Sequence, residues 1–113
     1  MDCLFCKIAE KQIPANLVHE DDRVVAFRDV NPQAPTHILV IPRRHIATTN
    51  DLRAADNELV GHLVTTAQRI AAAEGIADSG FRLALNCNAD GGQSVYHIHL
   101  HLLGGRRLHW PPG

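Results

Sequence analysis

The chain has 113 residues and a mass of 12.4 kDa, with 45% hydrophobic and 20% charged residues, which predicts one globular domain over residues 1–113. Lys and Arg number 11 against 12 Asp and Glu, a net charge of -1, so the basic excess that a nucleic-acid polymer demands of its binders is missing. Apolar runs such as Ile38 to Ile41 fall far short of the ~20 residues that span a bilayer. With no basic-then-apolar leader at the N-terminus, no membrane partner and a cytoplasmic location are expected.

In chain order, Leu4, Phe5 and Ile8 fall at helical spacing between Cys3 and Glu10 and predict a short N-terminal helix that stops before Ile13-Pro14. Leu17 to His19 and Val24 to Phe27, divided by Glu20-Asp21-Asp22, predict two strands of a meander. After a loop punctuated by Asn31-Pro32 and Ala34-Pro35, the β-branched run Thr36 to Ile41 predicts a third. From Asp51 to Glu74 the apolar residues recur every three or four positions up to Gly75, which predicts the one long helix. Phe81 to Leu85 and Tyr96 to Leu103 predict the fourth and fifth strands, with a Gly-rich loop from Asn88 to Ser94 between them. The expected fold is α+β: a five-stranded antiparallel sheet covered on one face by the long helix. In the tail, Trp110 is expected to bury against the same core or another subunit.

Histidine carries the chemical signal. His97-Ile98-His99-Leu100-His101-Leu102-Leu103 alternates strictly, so a strand places the three imidazoles on one face and the apolar residues on the other. At ~3.3 Å per residue the outer two stand roughly 13 Å apart, too far for one metal to take all three. Such a row suits phosphorus chemistry: a neutral imidazole is a nucleophile near neutral pH, and its neighbours can transfer protons and attract phosphate. The preceding Asp90-Gly91-Gly92-Gln93-Ser94-Val95 offers backbone amides and a hydroxyl to an anion, although a plain hairpin turn uses the same glycines.

These residues, with Phe27-Arg28-Asp29, Pro32-Gln33-Ala34-Pro35-Thr36-His37, Ile41-Pro42, Gly104-Gly105-Arg106 and His109-Trp110-Pro111-Pro112-Gly113, resemble the histidine triad (HIT) superfamily, and within it the Hint branch of nucleotide-binding proteins. The resemblance implies a homodimer that hydrolyses purine nucleoside 5′-phosphoramidates to amine and nucleoside monophosphate, with no cofactor in catalysis. It implies His99 as nucleophile, and His101 at the phosphate, assisting proton transfer. Ser94 and the backbone around Gln93 and Val95 would hold phosphate oxygens or the leaving nitrogen. His97 and His37 would orient the triad, and Asn86 would position phosphate or ribose. Asp29 matches the ribose-binding acid; Phe5, Ile8, Phe27 and Val30 would surround the purine, and Trp110 of the partner subunit would reach the leaving group.

Without the resemblance, Phe5, Ile8, Phe27 and Val30 read as core, Asp29 as a turn residue and His37 as a satisfied core histidine. His19, His62 and His109 have no assigned chemistry, and His62 within the long helix is expected at the surface. The three cysteines, Cys3, Cys6 and Cys87, do not make a disulfide framework. Other HIT branches build a structural zinc site from a C-x-x-C pair and two histidines, and the matching residues here are Cys3, Cys6, His45 and His97; two packed thiols are the alternative. A dinucleoside polyphosphate hydrolase and a nucleotide-binding interaction module with incidental turnover stand as the rival functions.

Overall fold

The computed structural model describes residues 2–113. Helix α1 (Leu4–Ala9) is followed by strands β1 (Leu17–Glu20), β2 (Val24–Arg28) and β3 (Thr36–Pro42). Two 3-10 turns, Thr49–Asp51 and Ala54–Asp56, lead into helix α2 (Asn57–Ala73), and then come β4 (Phe81–Ala84), the one-turn helix α3 (Asn88–Gly91) and β5 (Leu100–Gly104). The sheet is antiparallel throughout, in the order β1-β2-β3-β5-β4.

Alternation along the central strands decides what lies on each face. Val24 and Ala26 of β2 and Ile38 and Val40 of β3 join Leu63, Ala67, Ile70 and Ala71 of α2 in one core. The intervening Val25, Phe27, Leu39 and Ile41 pack with Phe5, Ile8 and Ala9 of α1 in a second. Both faces are therefore covered, not one. Every residue of β3 is buried, as expected of an unbroken apolar run in a strand sandwiched between layers.

Three predicted boundaries move. The long helix begins at Asn57, because Thr48 and Arg53 each start a 3-10 turn whose third residue, Asp51 or Asp56, returns its carboxylate to the backbone N–H of the residue that begins it. The Asn88 to Ser94 loop contains α3, closed by Gly92 at φ 79. The last strand begins at Leu100, not Tyr96, because its pairing with β3 ends at Val40↔Leu100. Before that point the Ile98 N–H turns to Ile46 O at 2.8 Å.

His62 is also not the surface residue expected. Its Nε2 and that of His19 lie 2.8 and 2.9 Å from Asp21 Oδ2, while Asp21 Oδ1 accepts the N–H groups of Arg23 and Val24. Burial works to raise the Asp21 carboxyl, but the hydrogen bonds from His19, the two amides and His62 outweigh it and hold it well below the usual carboxylate range. The β1-β2 turn is thereby tied to α2. At the other end of the sheet, Arg28 donates bidentately to Glu74 at 2.8 and 3.0 Å. Among the described residues no helix is long and apolar enough to cross a membrane.

Candidate active site

A cavity of about 700 Å³ opens on the α1 side of the sheet, within the range of small-molecule sites. Of the residues expected at a nucleotide site, Phe5, Ile8, Phe27, Asp29, Val30, Ser94, Val95, His99 and His101 all line it. Its walls are mostly apolar, and Phe5 meets Phe27 edge-on with ring centroids 5.4 Å apart. Leu39 also lines it, because the β2-β3 register pairs it with Phe27 on the same face. Leu4 of α1 contributes as well, and so do Asn16 and the segment Ile13-Pro14-Ala15, which no periodicity in the sequence marks.

The ring nitrogens of the histidines are assigned by their partners. His99 Nδ1 lies 2.8 Å from His97 O; a carbonyl only accepts, so Nδ1 carries the hydrogen and the neutral ring keeps its lone pair on Nε2. Gln33 N–H donates to His37 Nδ1 at 3.0 Å. His37 therefore carries its hydrogen on Nε2 and donates to His101 Nδ1 at 2.9 Å, which leaves an N–H on His101 Nε2. A directional chain thus runs from Gln33 through His37 to His101, with Asp29 Oδ2 3.5 Å from His37 Nε2.

Electrostatics keep this chain neutral. Burial lowers His101 to about 4, and the neighbouring His99 and His37 add to the effect, against the opposing pull of Asp29. Burial lowers His37 too, with Asp29 opposing and His99 reinforcing.

His97 diverges from the other two. It is fully buried and does not line the cavity, because its ring enters a separate cluster behind Phe5. Nε2 lies 2.7 Å from Pro42 O and so donates to it, leaving Nδ1 to face two thiols, with Cys3 Sγ and Cys6 Sγ both at 3.5 Å. His45 Nδ1 is 3.4 Å from Cys6 Sγ, and the ligating atoms of Cys3, Cys6, His45 and His97 all lie within 4.8 Å of one another. A tetrahedral ion at ~2.1 Å from nitrogen and ~2.3 Å from sulfur sets neighbouring donors about 3.6 Å apart. Three of the donor pairs stand at 3.4 to 3.5 Å and all lie within 4.8 Å, so two thiols and two imidazole lone pairs fit a closed metal site.

The remaining expected residues lie outside the cavity wall. His37 stands behind His101. Gln93 is buried and braces the loop: its Nε2 donates to Ala47 O and Val95 O, and its Oε1 accepts from Asn88 N–H. Asn86 is half-buried between β4 and α3. Trp110 is 83% exposed, so it does not join the core of its own chain.

The family model described as HIT domain matches residues 10–108. Over 107 residues the chain is 53% identical to the purine nucleoside phosphoramidase of Escherichia coli K12, covering 95% of this chain and 90% of that protein. A HIT family hydrolase from Legionella pneumophila superposes with a TM-score of 0.98 at 57% identity, covering 99% of this chain and 100% of that one. A histidine triad protein from Clostridium difficile gives 0.93 at 47%, covering 96% and 94%. The motif, the cavity it faces and these likenesses agree, and the chain belongs to the HIT domain family.

Proposed function

We propose that the protein is an enzyme that hydrolyses purine nucleoside 5′-phosphoramidates, such as adenosine 5′-monophosphoramidate, to nucleoside monophosphate and amine. The observation that carries this reading is an apolar cavity holding His99, with its lone pair on Nε2, beside the Nε2–H of His101. The likeness to an E. coli protein named purine nucleoside phosphoramidase supports it.

The purine lies between Phe5, Ile8, Phe27 and Val30, and Asp29 accepts hydrogen bonds from the ribose hydroxyls. His99 Nε2 attacks the α-phosphorus; a P–N bond to the enzyme forms as the P–N bond to the amine breaks. The leaving nitrogen takes up a proton delivered through the Ser94 hydroxyl from a water molecule, and the proton that the second, attacking water sheds restores the hydroxide so left to water. The nucleotidyl-imidazolium keeps its Nδ1–H on His97 O, which stabilises the positive ring in place. His101 Nε2–H and the backbone around Gln93 and Val95 hold the phosphate oxygens, with Asn86 near the phosphate or ribose. Water then attacks phosphorus, giving nucleoside monophosphate and restoring neutral His99. His37 keeps His101 in the donor tautomer throughout.

The working unit is a homodimer in the cytoplasm. In support, Trp110 is 83% exposed and Tyr96 47%, and β4 is an outer strand of the sheet. A partner's Trp110 would close the leaving-group side. Cys3, Cys6, His45 and His97 would hold a structural zinc; their donor set would tie α1 to the chain around His45 and His97, and four protein ligands would leave no open position for substrate.

The test is mass spectrometry of acid-sparing quenched turnover, with a nucleotide adduct expected on the peptide containing His99. His99→Ala should abolish both adduct and turnover while leaving the dissociation constant for nucleoside monophosphate largely unchanged. If the variant keeps the wild-type rate, the chain is a binding module whose turnover is incidental. Faster cleavage of diadenosine polyphosphate than of phosphoramidate would favour the polyphosphate hydrolase instead.

A further inference from the structure

Helix α1 has six residues, far below the ~12–15 at which an isolated helix holds its own shape in water. Its position must come from what its side chains grip. On one side it presents Leu4, Phe5 and Ile8 to the cavity. On the other, Cys3, its N-cap, and Cys6 reach His97 and His45. Phe5 lies between the two thiols in sequence and touches both sites, with its ring centroid 6.0 Å from that of His97 and 5.1 Å from that of His99. The cavity wall and half of the metal donor set are therefore one rigid turn of chain.

We infer that zinc at Cys3, Cys6, His45 and His97 sets the affinity of the cavity for nucleoside monophosphate, because the ion anchors the helix that forms the cavity's purine-facing wall. The inference rests on the nucleotide and zinc readings above. Without the ion, α1 is held by the burial of Phe5, Ile8 and Ala9 and, at its C-terminal end, by the Arg43 guanidinium donating to Ala9 O; its N-terminal turn, with Cys3 and Cys6, loses its anchor, and a nucleotide entering the cavity must order that turn itself. With the ion in place the wall is preformed. Coupling of this kind is reciprocal: zinc tightens nucleotide and nucleotide tightens zinc by the same factor. The factor expected is about tenfold, inside the ~5–150-fold span typical of linked sites.

The experiment uses the full chain with zinc or after chelator treatment, with retention of fold checked by circular dichroism. Calorimetry with adenosine monophosphate should give an affinity about tenfold weaker for the stripped protein. Hydrogen exchange of α1 should accelerate on stripping while β2 and β3 stay protected. His45→Ala, a change outside the cavity wall, should reproduce the weaker affinity and resist rescue by added zinc. Equal affinities, within about twofold, for loaded and stripped folded protein would overturn the inference. If the stripped protein unfolds, competition of the loaded protein against a chromophoric chelator decides: saturating adenosine monophosphate must raise zinc affinity about tenfold, and an unchanged zinc affinity refutes the linkage. Uptake below about a tenth of an ion per chain defeats both the zinc reading and this inference. None of these measurements reads turnover, so a loaded protein that fails to cleave phosphoramidates would defeat the proposed reaction and leave the linkage standing.

Discussion

Replacing His101 with Gln removes one titrating group from the cavity floor while keeping a side chain that can accept from His37. In the folded protein His101 is lowered to about 4 from an ordinary 6.5, by burial first and by His99 and His37 second. A group lowered on folding prefers to be neutral in the native state. Its contribution to stability is complete above about 6.5, shrinks as the pH falls, and is gone near 4. At about 1.4 kcal/mol per decade, the gap between the printed values corresponds to about 3 kcal/mol as an upper bound, or about 2 kcal/mol after allowing for the solvent that reaches this partly exposed ring. Urea unfolding at about pH 7 and about pH 4.5 reads it directly. The wild type should lose more stability than His101→Gln between those conditions by about 1–2 kcal/mol; the acid sensitivity of the buried His37 and His97, also lowered on folding, is common to both. Equal losses, within about 0.5 kcal/mol, would refute the neutral, hydrogen-donating His101 and the tautomer chain that depends on it.

Asp29→Ala should weaken binding of ribonucleotides more than of 2′,3′-dideoxyribonucleotides; equal losses in calorimetry would remove Asp29 from the ribose site. Trp110→Ala should leave the melting temperature nearly unchanged, because the side chain is 83% exposed, yet lower kcat/KM for substrates with bulky amines, which paired kinetic and thermal assays would read. Gly105→Ala should destabilise by about 1–3 kcal/mol in urea, because Gly105 sits at φ 89 and an added Cβ would come within 2.8 Å of Pro35 Cβ.

Local order in the sequence already contains the two helices that cover the sheet, its five strands and the shared side of His99 and His101, because each depends on spacing within a few residues. Alternation puts Val25 with Phe27 and Leu39 with Ile41, and equally ensures that Ile98, Leu100 and Leu102 turn away from the triad; that the two pairs share one face comes from the Phe27↔Leu39 register between strands. The same alternation turns the His97 ring, like that of His99, toward Phe5, but it does not tell what His97 meets there. His97 reaches a different site from His99 because Pro42 O captures its Nε2 and because Ile98 pairs with Ile46 instead of β3.

The metal donor set shows the boundary most sharply. C-x-x-C is visible as a pair, but its meeting with His45 and His97 spans separations of 39 to 94 positions, and no local pattern encodes distances of that length. The second layer over the sheet escapes for the same reason: α1 is too short to announce which face it will cover, and only the docking of Phe5 and Ile8 settles it. Periodicity is a property of neighbouring residues, so the sequence by itself determines what each segment is and which of its sides is apolar. Which segments meet, and hence which nitrogen of which histidine is free to react, depends on strand pairing between remote stretches of chain, and that is decided only when the tertiary structure closes.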